Sequence, residues 1–182
     1  MWMHLFILRK EHNGNMNLRM GNLERMIGLA NEFFDWKNDA GQIAVDEGVL
    51  ERLREIHPAT LCEEIDGDGP VAWVLVIPTT RGVMEQFLAG RFTERELLEH
   101  TSPGEQYQAI YLCSALVLPE YRRKGIAKTL TVRVIEAIRR DHRIEHLYYW
   151  AFSEGGKALG GRVAMECRLP LLLREGHSFS SP

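Results

Sequence analysis

Cysteine is scarce: Cys62, Cys113 and Cys167 are the only three in 182 residues. An odd, widely spaced set in apolar surroundings argues against a disulfide framework and reads as buried thiols in a reducing, cytoplasmic setting. Charge of one sign is lacking too. The formal net charge is −3, with neither a polybasic tail nor an acidic block, so nothing global recruits nucleic acid or an anionic membrane, and any basic function has to be local. The apolar "MWMHLFIL" at the N-terminus is too short to span a bilayer, has no basic segment before it and no cleavage site after it, and is expected to form a first strand over residues 3–9. Two phosphate motifs are missing. No G-x-G-x-x-G occurs, and Gly156-Lys157 is followed by Ala158 with no glycine five residues earlier, which excludes a Rossmann dinucleotide site and a Walker A loop. Metal patterns fail as well. The loop from Asp66 has Ile77 where a calcium site needs a bidentate glutamate, and the H-x-x-E-H at 142–146 spans a helix end and a strand start, so its two rings would not converge. No metal is expected.

What is present suffices for one core: 182 residues with 45% apolar content predict a single domain over 1–182. After the first strand, "GNLERMIGLANEFFDW" places Leu23, Met26, Ile27, Ala30, Phe33 and Phe34 at helical spacing behind Asn22, the expected N-cap. A second helix is predicted from Asp46 to Ile56, stopped by Pro58. Two strand-like runs around Asp66-Gly67-Asp68-Gly69 predict a tight antiparallel hairpin. Residues 81–104 read as a helical insertion in which Thr93-Glu94-Arg95-Glu96 has the form of a capping box. Glu85, Glu94, Glu96 and Glu99 there are expected on a solvated face, with recognition of a cationic amine as the alternative. "YQAIYLCSALVL" (107–118) is apolar enough for a central strand buried on both faces. A long helix follows, with Ile126, Leu130, Val134 and Ile138 on one stripe, then a strand in "IEHLYYWAF" and a glycine-weakened helix over "EGGKALGGRVAMEC". The last six residues are expected to fray.

"LPEYRRKGIAK" (118–128) joins the central strand to the long helix. A chain that leaves a buried strand at Pro119, turns and enters a helix at Gly125 has several N–H groups without intrahelical partners. Those donors and the helix dipole attract an anion. Gly125 permits close approach or a positive φ. Arg122, Arg123, Lys124 and Lys128 stand against Glu120, a local charge of +3 in a net-negative chain. A phosphate or pyrophosphate is the expected occupant. The cations have no interleaved aromatics of the kind that stack nucleic-acid bases.

Arg122-x-x-Gly125-x-Ala127 after "LVLP" resembles the acetyl-CoA signature Q/R-x-x-G-x-G/A of the GNAT superfamily of N-acetyltransferases, and the element order follows that family to about residue 166. The resemblance implies an α/β (α+β) fold with a mixed, mostly antiparallel central sheet flanked by helices. It implies acetyl-CoA, or another acyl-CoA, as cosubstrate. The backbones of Leu116, Val117 and Leu118 would pair with the pantetheine arm like an added strand, and the amides of Arg123, Lys124, Gly125, Ile126, Ala127 and Lys128, after the signature's Arg122, would hold the pyrophosphate.

The implied reaction is direct transfer of an acetyl group to a primary amine of a small molecule or peptide. The amine must be neutral to attack, so a base removes its proton while a donor steadies the thioester oxygen. Glu63 and Glu64 lie on the strand before the hairpin and alternate in face, so one is placed to reach the acceptor cleft. Tyr111 stands in the stretch where many family members carry a glutamate. Ser153 and Cys167 are the polar residues nearest the role of thiolate acid, since no tyrosine occurs after Tyr149. Their structural readings are exposed strand carboxylates, a packed aromatic, an N-cap and a core thiol. The family's closing strands are replaced by "CRLPLLLREGHSF", so the last strands are expected to be short, irregular or supplied by the partner in a homodimer. The missing tyrosine and glutamate leave an alternative: a CoA-binding sensor or assembly module of the same fold without turnover.

Overall fold

In a computed structural model the described residues are 21–33, 41–43, 46–150 and 153–174. The expected strand at 3–9, the continuation of the first helix towards Trp36 and the last six residues lie outside them. Helix α1 spans Asn22–Phe33. Asn22 is its first residue instead of its cap: its side chain donates to the Asp66 carbonyl at 2.9 Å and accepts from Arg25 at 3.1 Å, while Asp68 Oδ1 takes its N–H at 3.4 Å. The cause is tertiary. The hairpin turn seats against the start of the helix and supplies the acceptor that a local reading assigns to Asn22.

Helix α2 (Glu47–Ile56) is capped by Asp46, whose Oδ1 accepts from Val49 N–H at 2.8 Å. Strands β1 (Leu61–Asp66) and β2 (Gly69–Thr79) form the antiparallel hairpin. Helices α3 (Arg81–Leu88) and α4 (Glu94–Glu99) make up the insertion. The capping box is present, with Thr93 N–H donating to Glu96 Oε2 at 2.8 Å and Glu96 N–H to Thr93 Oγ1 at 3.2 Å. Then come β3 (Ala109–Val117), a 3₁₀ turn at Pro119–Tyr121, α5 (Ile126–Asp141), β4 (His146–Tyr149), α6 (Glu154–Cys167) and β5 (Leu171–Leu173).

The five strands form one sheet in the order β1-β2-β3-β4-β5. β1, β2 and β3 are antiparallel, whereas β3, β4 and β5 run parallel in shorter ladders. The fold is therefore the expected mixed α/β sheet, with most of its pairing antiparallel. Leu130, Val134, Ile135 and Ile138 of α5 are buried in the main core, as are Leu53 of α2, Phe87 of α3 and Leu97 of α4. Tyr111 meets the Phe87 ring at 4.8 Å, while a β-carbon on Gly160 would meet Leu112 at 3.9 Å. Neighbouring strand residues point to opposite faces, so α3 and α6 cover opposite sides of the sheet. Among the described residues no helix is long and apolar enough to cross a membrane.

Strand β3 departs from expectation. Only Ala109, Ile110 and Tyr111 are buried on both faces, and residues 112–117 are half-buried. The reason is the length of β4, four residues of which only His146, Leu147 and Tyr148 pair with β3, at 109–111. At the C-terminal end of the described residues, β5 is a three-residue strand parallel to β4.

Candidate functional site

Beyond Tyr111, the edge of β3 that faces β4 has no strand partner among the described residues. A bulge sits at the same place. Leu75 pairs with Ser114 and Val76 with Leu112, which leaves Cys113 unmatched, and an extra residue of this kind bends and twists its strand. Leu118 N–H donates to Val71 O at 2.9 Å. Alternation then directs Leu116 towards β2 as well and Val117 towards the open edge. Arg122 Nε donates to Val117 O at 3.0 Å, bracing the strand end from that side. Of the three residues expected to pair with an extended ligand, Val117 is thus the one whose N–H faces outward.

The turn that follows brings two left-handed residues to the head of α5. Arg122 is extended, Arg123 has φ 63°, and Gly125 has φ 81° and ψ −1°, directly before α5. A left-handed arginine is a strained arrangement that the surroundings must hold, and left-handed residues in a turn let successive N–H groups converge on one point. The N–H groups of Arg123 through Lys128 have no acceptor among the described residues. All six lie at the positive end of the α5 dipole. Glu120, the carboxylate within the segment, is occupied by Arg25 at 2.6 Å, and Tyr121 donates to Asp66 at 2.9 Å. These bonds anchor the turn to α1 and the hairpin. Lys124 Nζ lies 4.9 Å from the centre of the Tyr121 ring, Arg123 is exposed, and Lys128 pairs with Glu166 of α6.

The residues weighed for proton transfer are scattered. Glu63 is exposed on β1, and Glu64 faces Arg133 of α5 at 3.4 Å. With β2 between them, both lie two strand spacings, about 9.6 Å, from β3. The Ser153 hydroxyl accepts from Gly156 N–H at 3.0 Å as the N-cap of α6, and Cys167 is buried, its thiol pushed up to about 11 chiefly by burial. Tyr111 is buried beside the bulge and its hydroxyl donates to Glu94. Burial, then the charge of Glu94, holds the Tyr111 phenol well above its usual range, and the same two causes raise the Cys113 thiol.

Glu94 corrects the solvated-face expectation for the insertion. Glu85 and Glu99 are exposed and Glu96 is held in the capping box, whereas Glu94 is only 6% exposed. The signal was in the spacing: Glu94, Leu97 and Leu98 share one helical stripe, and both leucines are buried. The arrangement can therefore hold a polyanion at the start of α5, lay an extended chain along the edge of β3, and end that chain at Cys113, with Glu94 and Tyr111 beside it.

A model of the acetyltransferase (GNAT) family matches residues 25–159, from α1 into α6. No curated protein matches the chain.

Proposed function

The chain belongs to the GNAT acetyltransferase family, and from that premise we propose that it transfers an acyl group, acetyl by default, from acyl-CoA to a primary amine by direct attack. The observation that carries this reading is the run of six amides from Arg123 to Lys128 at the head of α5 that have no acceptor among the described residues, reached along a strand edge that has no strand partner among them from Leu112 onward. The amides would take the pyrophosphate, with Arg123 and Lys124 adding charge. Val117 N–H would pair with the pantetheine amides, leaving Leu118 in the sheet. Bound this way, the cosubstrate supplies an activated thioester at the bulge. The chain's own part is to fix that thioester, to exclude water on the side covered by α6, and to take the amine's proton.

A second reading, a CoA-binding module without turnover, draws support from α6. No tyrosine is available there, and the Ser153 hydroxyl is engaged as a cap. Calorimetric titration with acetyl-CoA, desulfo-CoA and ATP separates the outcomes. We expect both CoA forms to bind and ATP to bind far more weakly, with thiol release once an amine is added. Absence of binding at millimolar CoA overturns the cofactor assignment, and binding without thiol release from any amine favours the module.

A further inference from the structure

Glu94 is the only buried carboxylate among the described residues. Taking such a group out of water is costly unless it is hydrogen-bonded or used. It opens α4, which the Thr93–Glu96 box fixes in place, and Leu97 and Leu98 carry the same stripe into the core. The helix therefore aims Glu94 at the sheet. There it accepts the Tyr111 hydroxyl, on the last β3 residue paired to β4 and beside the unmatched Cys113. Its charge acts on both the Tyr111 phenol and the Cys113 thiol.

We propose that Glu94 is the proton acceptor for the attacking amine, delivered by the insertion helix instead of by strand β3. The inference rests on the acyltransferase reading above. With the pyrophosphate at the head of α5, the pantetheine arm runs back along β3. Four residue steps, Val117 to Cys113, span about 13 Å, which brings the thioester to the bulge. Leu112 sits on the α6 side, near Gly160, and Glu94 sits with Tyr111 on the side of α3 and α4, which is the side the amine has to reach. Glu94 meets it there.

One ammonium proton passes to a Glu94 oxygen, the nitrogen lone pair forms a C–N bond to the thioester carbon, and the C–S bond breaks with its electrons leaving on sulfur. A second nitrogen proton neutralises the thiolate. Ammonium and thioester thus become amide, thiol and one proton, which Glu94 returns to solvent.

A buried carboxylate at this point selects an acceptor that arrives as a cation. The aromatic row beside it suits one, since it already holds a cation of the chain: Arg174 stacks 4.4 Å from the Phe87 ring and 4.5 Å from Trp150, and Phe87 packs on Tyr111. The acceptor class is therefore an alkylamine.

Glu94→Gln tests this, because it keeps the shape and an acceptor for the Tyr111 hydroxyl. Desulfo-CoA calorimetry reports the cofactor site, and thiol release from acetyl-CoA with n-butylamine or 1,4-diaminobutane, between about pH 6 and 9.5, reports transfer. The variant should bind desulfo-CoA like the wild type and lose roughly 10²–10⁴-fold in kcat/KM. Tyr111→Phe should keep turnover within about tenfold but move the acidic limb of the pH profile upward, since a carboxylate that has lost a donor ionises less readily. Wild-type kcat/KM and pH profile in Glu94→Gln overturn the proposal, as does a parallel loss of cofactor binding and turnover, which is what a purely structural carboxylate predicts. A wild-type protein that binds desulfo-CoA but acetylates neither amine overturns it too, with the cofactor site left standing. Failure of the wild type to bind desulfo-CoA overturns the acyltransferase reading itself, and this proposal with it.

Discussion

Gly125 carries a requirement that no other residue type meets as well. Its φ of 81° is left-handed, and a β-carbon added there would meet nothing within 4 Å among the described residues, so the cost of a substitution is backbone strain, about 1–2 kcal/mol. The empty space around it is where an anion would approach the amides. Gly125→Ala should therefore remain folded with a slightly lower melting temperature. It should lose acetyl-CoA affinity by roughly 10–100-fold, the equivalent of one or two weakened bonds to a charged group. Calorimetry on the variant checks this, and affinity equal to wild type would remove the turn from the cofactor site. The glycine and its cations were legible because six sequential residues specify the turn. The left-handed Arg123 was not, since arginine carries no local signal for that conformation.

Helix α6 shows how propensity and packing diverge within one element. Gly160 lies against the sheet, where a β-carbon would come 3.5 Å from Leu171 and 3.9 Å from Tyr149, whereas Gly161 is exposed, with nothing within 4 Å among the described residues. Only the first has a packing reason to be small. Gly161→Ala should raise stability by about 0.5–1 kcal/mol, because alanine loses less backbone entropy in a helix. Thermal or urea unfolding measures it, and a destabilised variant would refute the exposed, contact-free placement of Gly161. Strand β3 is the complementary case. Its apolar run predicted burial throughout, and its outer half is only half-buried among the described residues because a neighbour distant in sequence, β4, is only four residues long. No window over 107–118 contains that information.

At the scale of the molecule, the end of α5, the end of α2 and the lead into β3 meet in a histidine cluster. Tyr107 N–H donates to His142 Nδ1 at 3.4 Å, with the Tyr107 ring 4.6 Å and the His57 ring 5.8 Å from that of His142. Ala59 N–H donates to His57 Nδ1 at 3.1 Å, so His57 Nε2 carries the proton that it donates to Asp141 at 3.0 Å. Burial, then the charge of His57, holds His142 below its usual 6.5. Below that value the unfolded chain takes up a proton that the native state resists, and stability falls as pH drops towards the folded value. Asp141 has its carboxyl held below 3.8, chiefly by the bond from His57, so its contribution is intact above 3.8 and is lost only as pH falls through the lower folded value. The melting temperature should therefore decline as pH falls below about 6.5, and His142→Gln, which can still accept from Tyr107, should flatten that decline. Stepped-pH melts that are flat in the wild type would refute the shift.

By itself the sequence determined the hairpin at Asp66–Gly69, the capped starts of α2, α4 and α6, and the glycine turn that leads into α5. Each depends on interactions spanning a few residues, and local stereochemistry decides them. Tertiary structure alone decided that Asp68 serves α1, that β3 opens after Tyr111, and that Glu94 turns inward to Tyr111. Those outcomes depend on partners between 17 and 46 residues away, where packing geometry overrides local preference.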